Sequence, residues 1–194
     1  CRGRHDRRRR KSLQMNLNIH SELPERKDWR IGCVGSGFIM SDCHLVAYGK
    51  AGFNPVAIAS RTQANAATCA EAHNIDTVHN TIDRLLDDES IEVLDLAVPP
   101  DNQLEIIKAA CARGTAKGIL AQKPLGANYA EAVEAVEACE AAGIVLAVNQ
   151  NMRYDQSVRA GKTLLKNSTI GDPVLATIDM RGIPHWMPWQ ERQG

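Results

Sequence analysis

The sequence lacks any run of about 18 apolar residues, so no membrane-spanning helix is expected. It has no Cys-x-x-Cys among its cysteines at 1, 33, 43, 69, 111 and 139, which removes the short-spaced zinc and redox motifs. It has no His-x-x-x-His pair, and no metal site is expected. It has no net charge, with 23 Lys and Arg against 23 Asp and Glu. That balance is uneven along the chain. Residues 1–11, CRGRHDRRRRK, hold seven of the basic residues and one acid, which leaves 16 basic and 22 acidic residues, a net of −6, in the rest. A globally basic nucleic-acid binder is therefore excluded for the body of the chain. Position 1 is not Met, the first Met is Met15, and the Arg-rich start has no apolar stretch, so it does not read as a secretory signal.

Two readings of that start are open. One is a basic arm for nucleic acid or localisation. The other is sequence upstream of the true start, and we favour it because nothing downstream resembles a nucleic-acid module. Residues 1–28 are expected to form an unstructured leader. With no secretion signal, a reducing cytoplasm fits the cysteines, and those at 69, 111 and 139 fall in Ala-rich helical segments where Cys acts as a small buried hydrophobe.

What is present is an alternation of short apolar runs and amphipathic stretches. Strands are expected at 30–35, 55–59, 75–78, 93–98, 118–122 and 144–148. Helices are expected from the first glycine turn to Lys50, then at 62–73, 82–87, 101–113 and 128–142. The last is the most clearly marked, with Asn128 as N-cap, Glu131 completing a capping box and Gly143 at the C-cap. Continuously apolar, β-branched strands read as covered on both faces. Strand–helix alternation gives right-handed βαβ units, an α/β doubly wound parallel (Rossmann) sheet with order 3-2-1-4-5-6. Beyond residue 150 the pattern changes. A helix is expected at 155–167 and a strand at 174–180. A single strand cannot form a stable sheet, so residues 151–194 read as the start of a second α/β domain whose remainder is missing.

Four segments carry chemistry. Gly35-Ser36-Gly37-Phe38-Ile39-Met40 follows the first strand and opens a helix. Gly35 permits a tight turn, and Gly37 lets a pyrophosphate approach the backbone at a helix N-terminus. Met40 stands where the fingerprint has Gly or Ala, and its size is expected to push the helix slightly off the strand. The second strand ends in Ser60-Arg61, with no acid to accept the ribose 2′-hydroxyl of NAD or to repel a 2′-phosphate, and Arg61 can pair with that phosphate. The cofactor is thus NADP or NAD, with NADP favoured. Val98-Pro99-Pro100 leaves the fourth strand across the crevice from the glycine turn, with Asp101 as an ordinary N-cap alternative. Gln122-Lys123-Pro124 ends the fifth strand, which aims Lys123 into the crevice, where an incompletely hydrated amine can exchange a proton with a hydroxyl. The bond to Pro124 is a candidate cis peptide.

Taken together, GSGFIM, ASRT, AVPPDN, QKP and NQNMRY make residues 29–194 resemble the Gfo/Idh/MocA (glucose-fructose oxidoreductase and inositol dehydrogenase) family. The resemblance implies an N-terminal Rossmann domain over 29–150 and a C-terminal α/β domain with a large open sheet. It also implies oxidation of a sugar or cyclitol hydroxyl, or the reverse. Lys123 matches the Lys of the family's Glu-Lys-Pro motif, which binds the reacting hydroxyl and assists its proton transfer. Gln122 stands where Glu is usual, and a neutral amide supports the charged amine less than a carboxylate. Pro99 and Pro100 match the turn near the nicotinamide ribose, and Gln103 stands where His is common. Asn151, Arg153 and Tyr154 match the segment that enters the second domain at the cleft. His185, with Trp186 and Trp189, reads either as a substrate or oligomer contact or as a loop anchor.

The sequence therefore points to an NAD(P)-dependent dehydrogenase of a sugar, cyclitol or related polyol. Lys123 is the catalytic candidate. Gly35, Gly37, Phe38, Ile39, Ser60, Arg61, Val98, Pro99, Pro100, Gln103, Gln122 and Lys123 are candidates for the cofactor. Lys123, Asn151, Arg153, Tyr154 and His185 are candidates for the substrate. A small molecule is the expected partner, with no nucleic acid or membrane, and a homo-oligomer when the chain is full length. Two rivals remain: a redox-neutral NAD-dependent glycosidase of the same fold, and a non-catalytic dinucleotide-binding fragment.

Overall fold

The computed structural model describes residues 17 and 19–179. Residues 21–154 form one compact unit. Its strands are β1 (Ile31–Val34), β2 (Ala57–Ala59), β3 (Thr77–Val78), β4 (Val93–Leu96), β5 (Gly118–Gln122) and β6 (Val145–Asn149). All pair in parallel, in the order β3-β2-β1-β4-β5-β6 that the alternation predicts. The order reverses between β1 and β4, where a doubly wound sheet opens its ligand crevice.

Period-two alternation sends each strand's residues to two cores. Val34, Ala57, Ala59, Leu94, Leu96, Ile119 and Ala121 pack on one face with residues of α3 (Ile82–Leu86), α4 (Gln103–Arg113) and α5 (Tyr129–Ala142). Ile31, Cys33 and Ile58 pack on the other with residues of a π-helical turn (Ile39–His44), of α1 (Leu45–Ala51) and of α2 (Gln63–His73). Coverage is not complete on both faces as the apolar runs predict. Val145 of β6 is 71% exposed, because neither α1 nor α2 packs as far as this edge.

Local chemistry explains the helix ends. Asn128 Oδ1 accepts the Glu131 N–H at 3.1 Å, and Glu131 returns a bond to Ala127 N–H at 2.9 Å. Gly143 closes α5 at φ +68°. Asp101 is not an N-cap. It lies within a 3-10 turn, Pro100–Asn102, because two successive prolines delay the helix, and Asn102 takes the cap position.

Met40 is fully buried between the strands and the helices, and the turn that carries it widens to the π form, with Leu45 N–H bonded to Met40 O.

At the opposite edge of the sheet, Glu92 joins Lys117 at 2.7 Å and Arg26 at 2.7 Å. The expected leader boundary at residue 28 therefore falls inside the compact unit. Bonds from Lys117 and then Arg26 hold the Glu92 carboxyl down to about 2. A depressed carboxyl stabilises the fold above its unfolded value of 4.5, and this contribution disappears as pH falls through about 2. We expect Glu92→Gln to flatten the loss of stability in that window. Denaturant midpoints measured across the window check it, and an unchanged slope would refute it.

The second unit, as far as described, is helix α6 (Gln156–Lys166) with residues 17, 19 and 20 and the irregular chain from 167 to 179. Asp155 caps α6, Thr163 Oγ1 donates to Leu17 O at 2.8 Å, and Arg159 donates to His20 O at 2.8 Å. The strand expected at 174–180 is absent over 174–179. Val174, Leu175 and Ile178 are exposed, since no described residue pairs with this backbone. Met180 lies outside the described residues.

Candidate functional site

Because every strand is parallel, the segments after β1, β2, β4, β5 and β6 all emerge at one edge. A crevice of about 620 Å³ opens there, lined by Gly35, Gly37, Ser60, Arg61, Val98 and Pro99 from the predicted set. Thr62, Asn65, Asn80, Thr81 and Asn102 also line it and were missed. Asn80 and Thr81 follow β3, and the parallel alternation already placed that strand's end at the same edge.

The two glycines do different work. Gly35 has φ +101°, and a Cβ there would stand 2.5 Å from Ala97 O, so only glycine lets β1 and β4 diverge here. A Cβ on Gly37 would meet nothing within 4 Å. Its hydrogens face space that a pyrophosphate can occupy against the start of the helix. Arg61 is exposed on the crevice wall and has no protein ion-pair partner among the described residues. An open glycine cradle beside an uncommitted guanidinium fits a dinucleotide phosphate.

The other predicted residues lie elsewhere. Phe38 and Ile39 are exposed at the helix start, and Pro100 begins the 3-10 turn; none of the three lines the crevice. Gln103 is fully buried and does not line the crevice. Its Nε2 donates to Pro124 O at 2.6 Å, so it supports the Lys-Pro turn from below. The Lys123–Pro124 bond is cis. Gln122 Oε1 accepts the Lys123 N–H at 2.8 Å, and the Lys123 side chain is exposed with no protein partner among the described residues. Asn151, Arg153 and Tyr154 lie in an exposed 3-10 turn (Asn151–Tyr154) one residue after β6, the strand next to β5. His185 lies outside the described residues.

Behind the Gln122–Lys123 turn is a buried polar cluster that the sequence reading did not find. Asp95 in β4 is fully buried and accepts from His44 Nδ1 at 2.8 Å and from Tyr48 Oη at 2.7 Å. Burial pushes the Tyr48 hydroxyl up, with the neighbouring Asp95 adding to it. Burial likewise raises the Cys33 thiol beside Asp95. The signal was a single acid inside the apolar run VLDLAV.

A doubly wound sheet with a glycine crevice at its switch point is the architecture of a dinucleotide-binding domain. The model of the oxidoreductase family with NAD-binding Rossmann fold, GFO_IDH_MocA, matches residues 29–150. The chain belongs to that family. It is 28% identical over 171 residues to trans-1,2-dihydrobenzene-1,2-diol dehydrogenase of Mus musculus, covering 85% of this chain and 51% of that one. It is 26% identical over 156 residues to D-apiose dehydrogenase of Paraburkholderia graminis, covering 80% of this chain and 41% of that one. Among solved structures it resembles an NAD binding oxidoreductase from Klebsiella pneumoniae, with a TM-score of 0.69 and 28% identity, covering 76% of this chain and 41% of that one. The chain thus spans about a quarter to a half of the length of the relatives it matches. Among the described residues no helix is long and apolar enough to cross a membrane.

Proposed function

We propose that this chain supplies the cofactor-binding part of an NAD(P)-dependent dehydrogenase acting on a hydroxyl of a sugar, cyclitol or related polyol. The observation that carries the reading is the shared edge: the glycine crevice and the exposed Lys123 follow parallel strands of one sheet. Gly35 and Gly37 with the helix start would hold the pyrophosphate, Ser60 and Arg61 the adenosine ribose, and Val98 and Pro99 the nicotinamide end. The bound nicotinamide supplies a hydride acceptor or donor. Lys123 orients the substrate hydroxyl and exchanges its proton, while Asn151, Arg153 and Tyr154 contact the substrate from the neighbouring strand end. The domain division at residue 150, a homo-oligomer and a cytoplasmic location belong to the same proposal.

A polyol panel offered with NAD or NADP tests it. Net accumulation of reduced nicotinamide is expected. Substrate turnover without net accumulation would instead favour a redox-neutral glycosidase, and binding without turnover a non-catalytic role.

The finer proposal is a preference for NADP. Arg61 has no acid beside it at the strand end and no protein counter-ion among the described residues. Loss of one charge-assisted bond, about 1.5–3 kcal/mol, predicts that Arg61→Ala weakens NADP binding roughly tenfold to a hundredfold and NAD much less. Titration of both cofactors checks this; tighter NAD binding by the unsubstituted protein would reverse it.

A further inference from the structure

The cluster behind the Lys123 turn has a direction built into it. Asp95 is fully buried on a strand that is otherwise apolar, and a buried carboxylate requires donors. It has two, His44 Nδ1 and Tyr48 Oη. The other ring nitrogen, His44 Nε2, faces amide groups instead: Asn149 Nδ2 at 2.8 Å and Gln122 Nε2 at 3.5 Å. Gln122 Oε1 is already engaged by the Lys123 N–H, so the amide nitrogen is the atom turned to the ring. An amide nitrogen only donates. Nε2 therefore accepts and carries no proton, while Nδ1 carries the proton and donates it to Asp95. The tautomer is set from both sides.

The strand register makes this consequential. Gln122 and Asn149 are Cα partners at the ends of β5 and β6. Lys123 follows the first, and the 151–154 turn follows the second after one residue. His44 itself closes the π-helical turn that begins just after the glycine loop. One imidazole thus ties the helix leaving the cofactor crevice to both strand ends that carry the substrate candidates.

We propose that His44 is a positioning residue for Lys123: held in one tautomer by Asp95, whose carboxylate Tyr48 also engages, it anchors Gln122 and Asn149 and so fixes the backbone from which Lys123 projects. Its catalytic meaning rests on the reading of Lys123 given above. The anchoring itself does not, and it can be measured without turnover.

Two substitutions in the NADP-loaded protein separate positioning from packing. His44→Asn keeps a donor for Asp95 but no longer reaches Asn149 and Gln122. His44→Gln keeps an oxygen near the place of Nε2 and weakens the Asp95 contact. Exchange of the Lys123 amide hydrogen is expected to be roughly tenfold faster in His44→Asn and near the unsubstituted rate in His44→Gln, although His44→Gln has the lower melting temperature of the two. Exchange that simply follows melting temperature, or that does not change in His44→Asn, overturns the proposal. The nitrogen-15 signals of the His44 ring in the unsubstituted protein decide the matter if a variant does not fold. Nδ1 protonated and Nε2 bare is required, and the reverse overturns it. Lys123→Met should leave those ring signals in place, so failure of the proton-transfer reading is seen separately from failure of the anchoring.

Discussion

Replacing Lys123 with Met should lower turnover by about 10²–10⁴-fold while leaving melting temperature and cofactor affinity nearly unchanged. The Lys123 side chain is exposed and has no protein partner among the described residues, so its loss opens no cavity and strands no buried charge. The surrounding turn is held by other groups. Gln103 supports the Pro124 carbonyl, and the Gln122 side chain takes the Lys123 N–H. What the substitution removes is an amine at the edge where the crevice opens. Oxidation of an alcohol takes a hydride from carbon and a proton from oxygen, and the proton needs an acceptor within hydrogen-bond reach. Lys123→Arg adds a sharper reading, because guanidinium keeps the charge but does not give up or take the proton near neutral pH. If Lys123 transfers the proton, Arg fails almost as completely as Met. If it only supplies charge, Arg recovers much of the rate. Normal turnover by Lys123→Met would remove the residue from the mechanism altogether.

The sheet order was legible because its cause is local. Runs such as RIGCV, PVAIA and GILAQ are too short and too apolar for surface helices, and Gly52, Asn74 and Gly114 in left-handed conformation end α1, α2 and α4 between them. Each crossover then has one allowed hand. Asn128 with Glu131 marked a helix start where the structure places it, with Asn128 Oδ1 taking the Glu131 N–H and the Glu131 carboxylate taking the Ala127 N–H in place of the Asn128 N–H. The buried cluster was hidden for the opposite reason. Asp95, His44, Gln122 and Asn149 are far apart in sequence and meet only through strand register and the π turn at Met40, neither of which has a local signature. Gln103 was assigned to the cofactor from a resemblance between motifs. Its spacing did not reveal that it turns inward beneath Pro124. The missing strand at 174–179 makes the same point: β propensity describes what a segment can pair as, and a partner decides whether it does.

Gly35→Ala and Gly37→Ala should fail in opposite ways, and the contrast tests whether the crevice is a nucleotide cradle. At Gly35 a methyl would stand 2.5 Å from the Ala97 carbonyl oxygen and 3.4 Å from Val98 Cγ1, at φ +101°. The backbone conformation alone costs an L-residue about 1–3 kcal/mol. The clash falls on a main-chain atom that cannot rotate away. Either the turn moves or β1 and β4 separate, and both strands are central in the sheet. Against a typical domain stability of about 5–15 kcal/mol, the expected result is a large drop in melting temperature with cofactor binding lost as a consequence. At Gly37 the added methyl meets no protein atom within 4 Å and the φ is not left-handed. Folding should be unaffected or slightly favoured, since alanine restricts the unfolded chain more than glycine does. The methyl would instead stand where the phosphate backbone approaches, and affinity for either dinucleotide should fall roughly tenfold or more. Thermal melting with and without NADP distinguishes the two: Gly35→Ala melts early in both, whereas Gly37→Ala melts normally alone and gains little from the cofactor. A Gly37→Ala protein that NADP stabilises as fully as the parent would mean that the open space beside Gly37 is not where the phosphates lie.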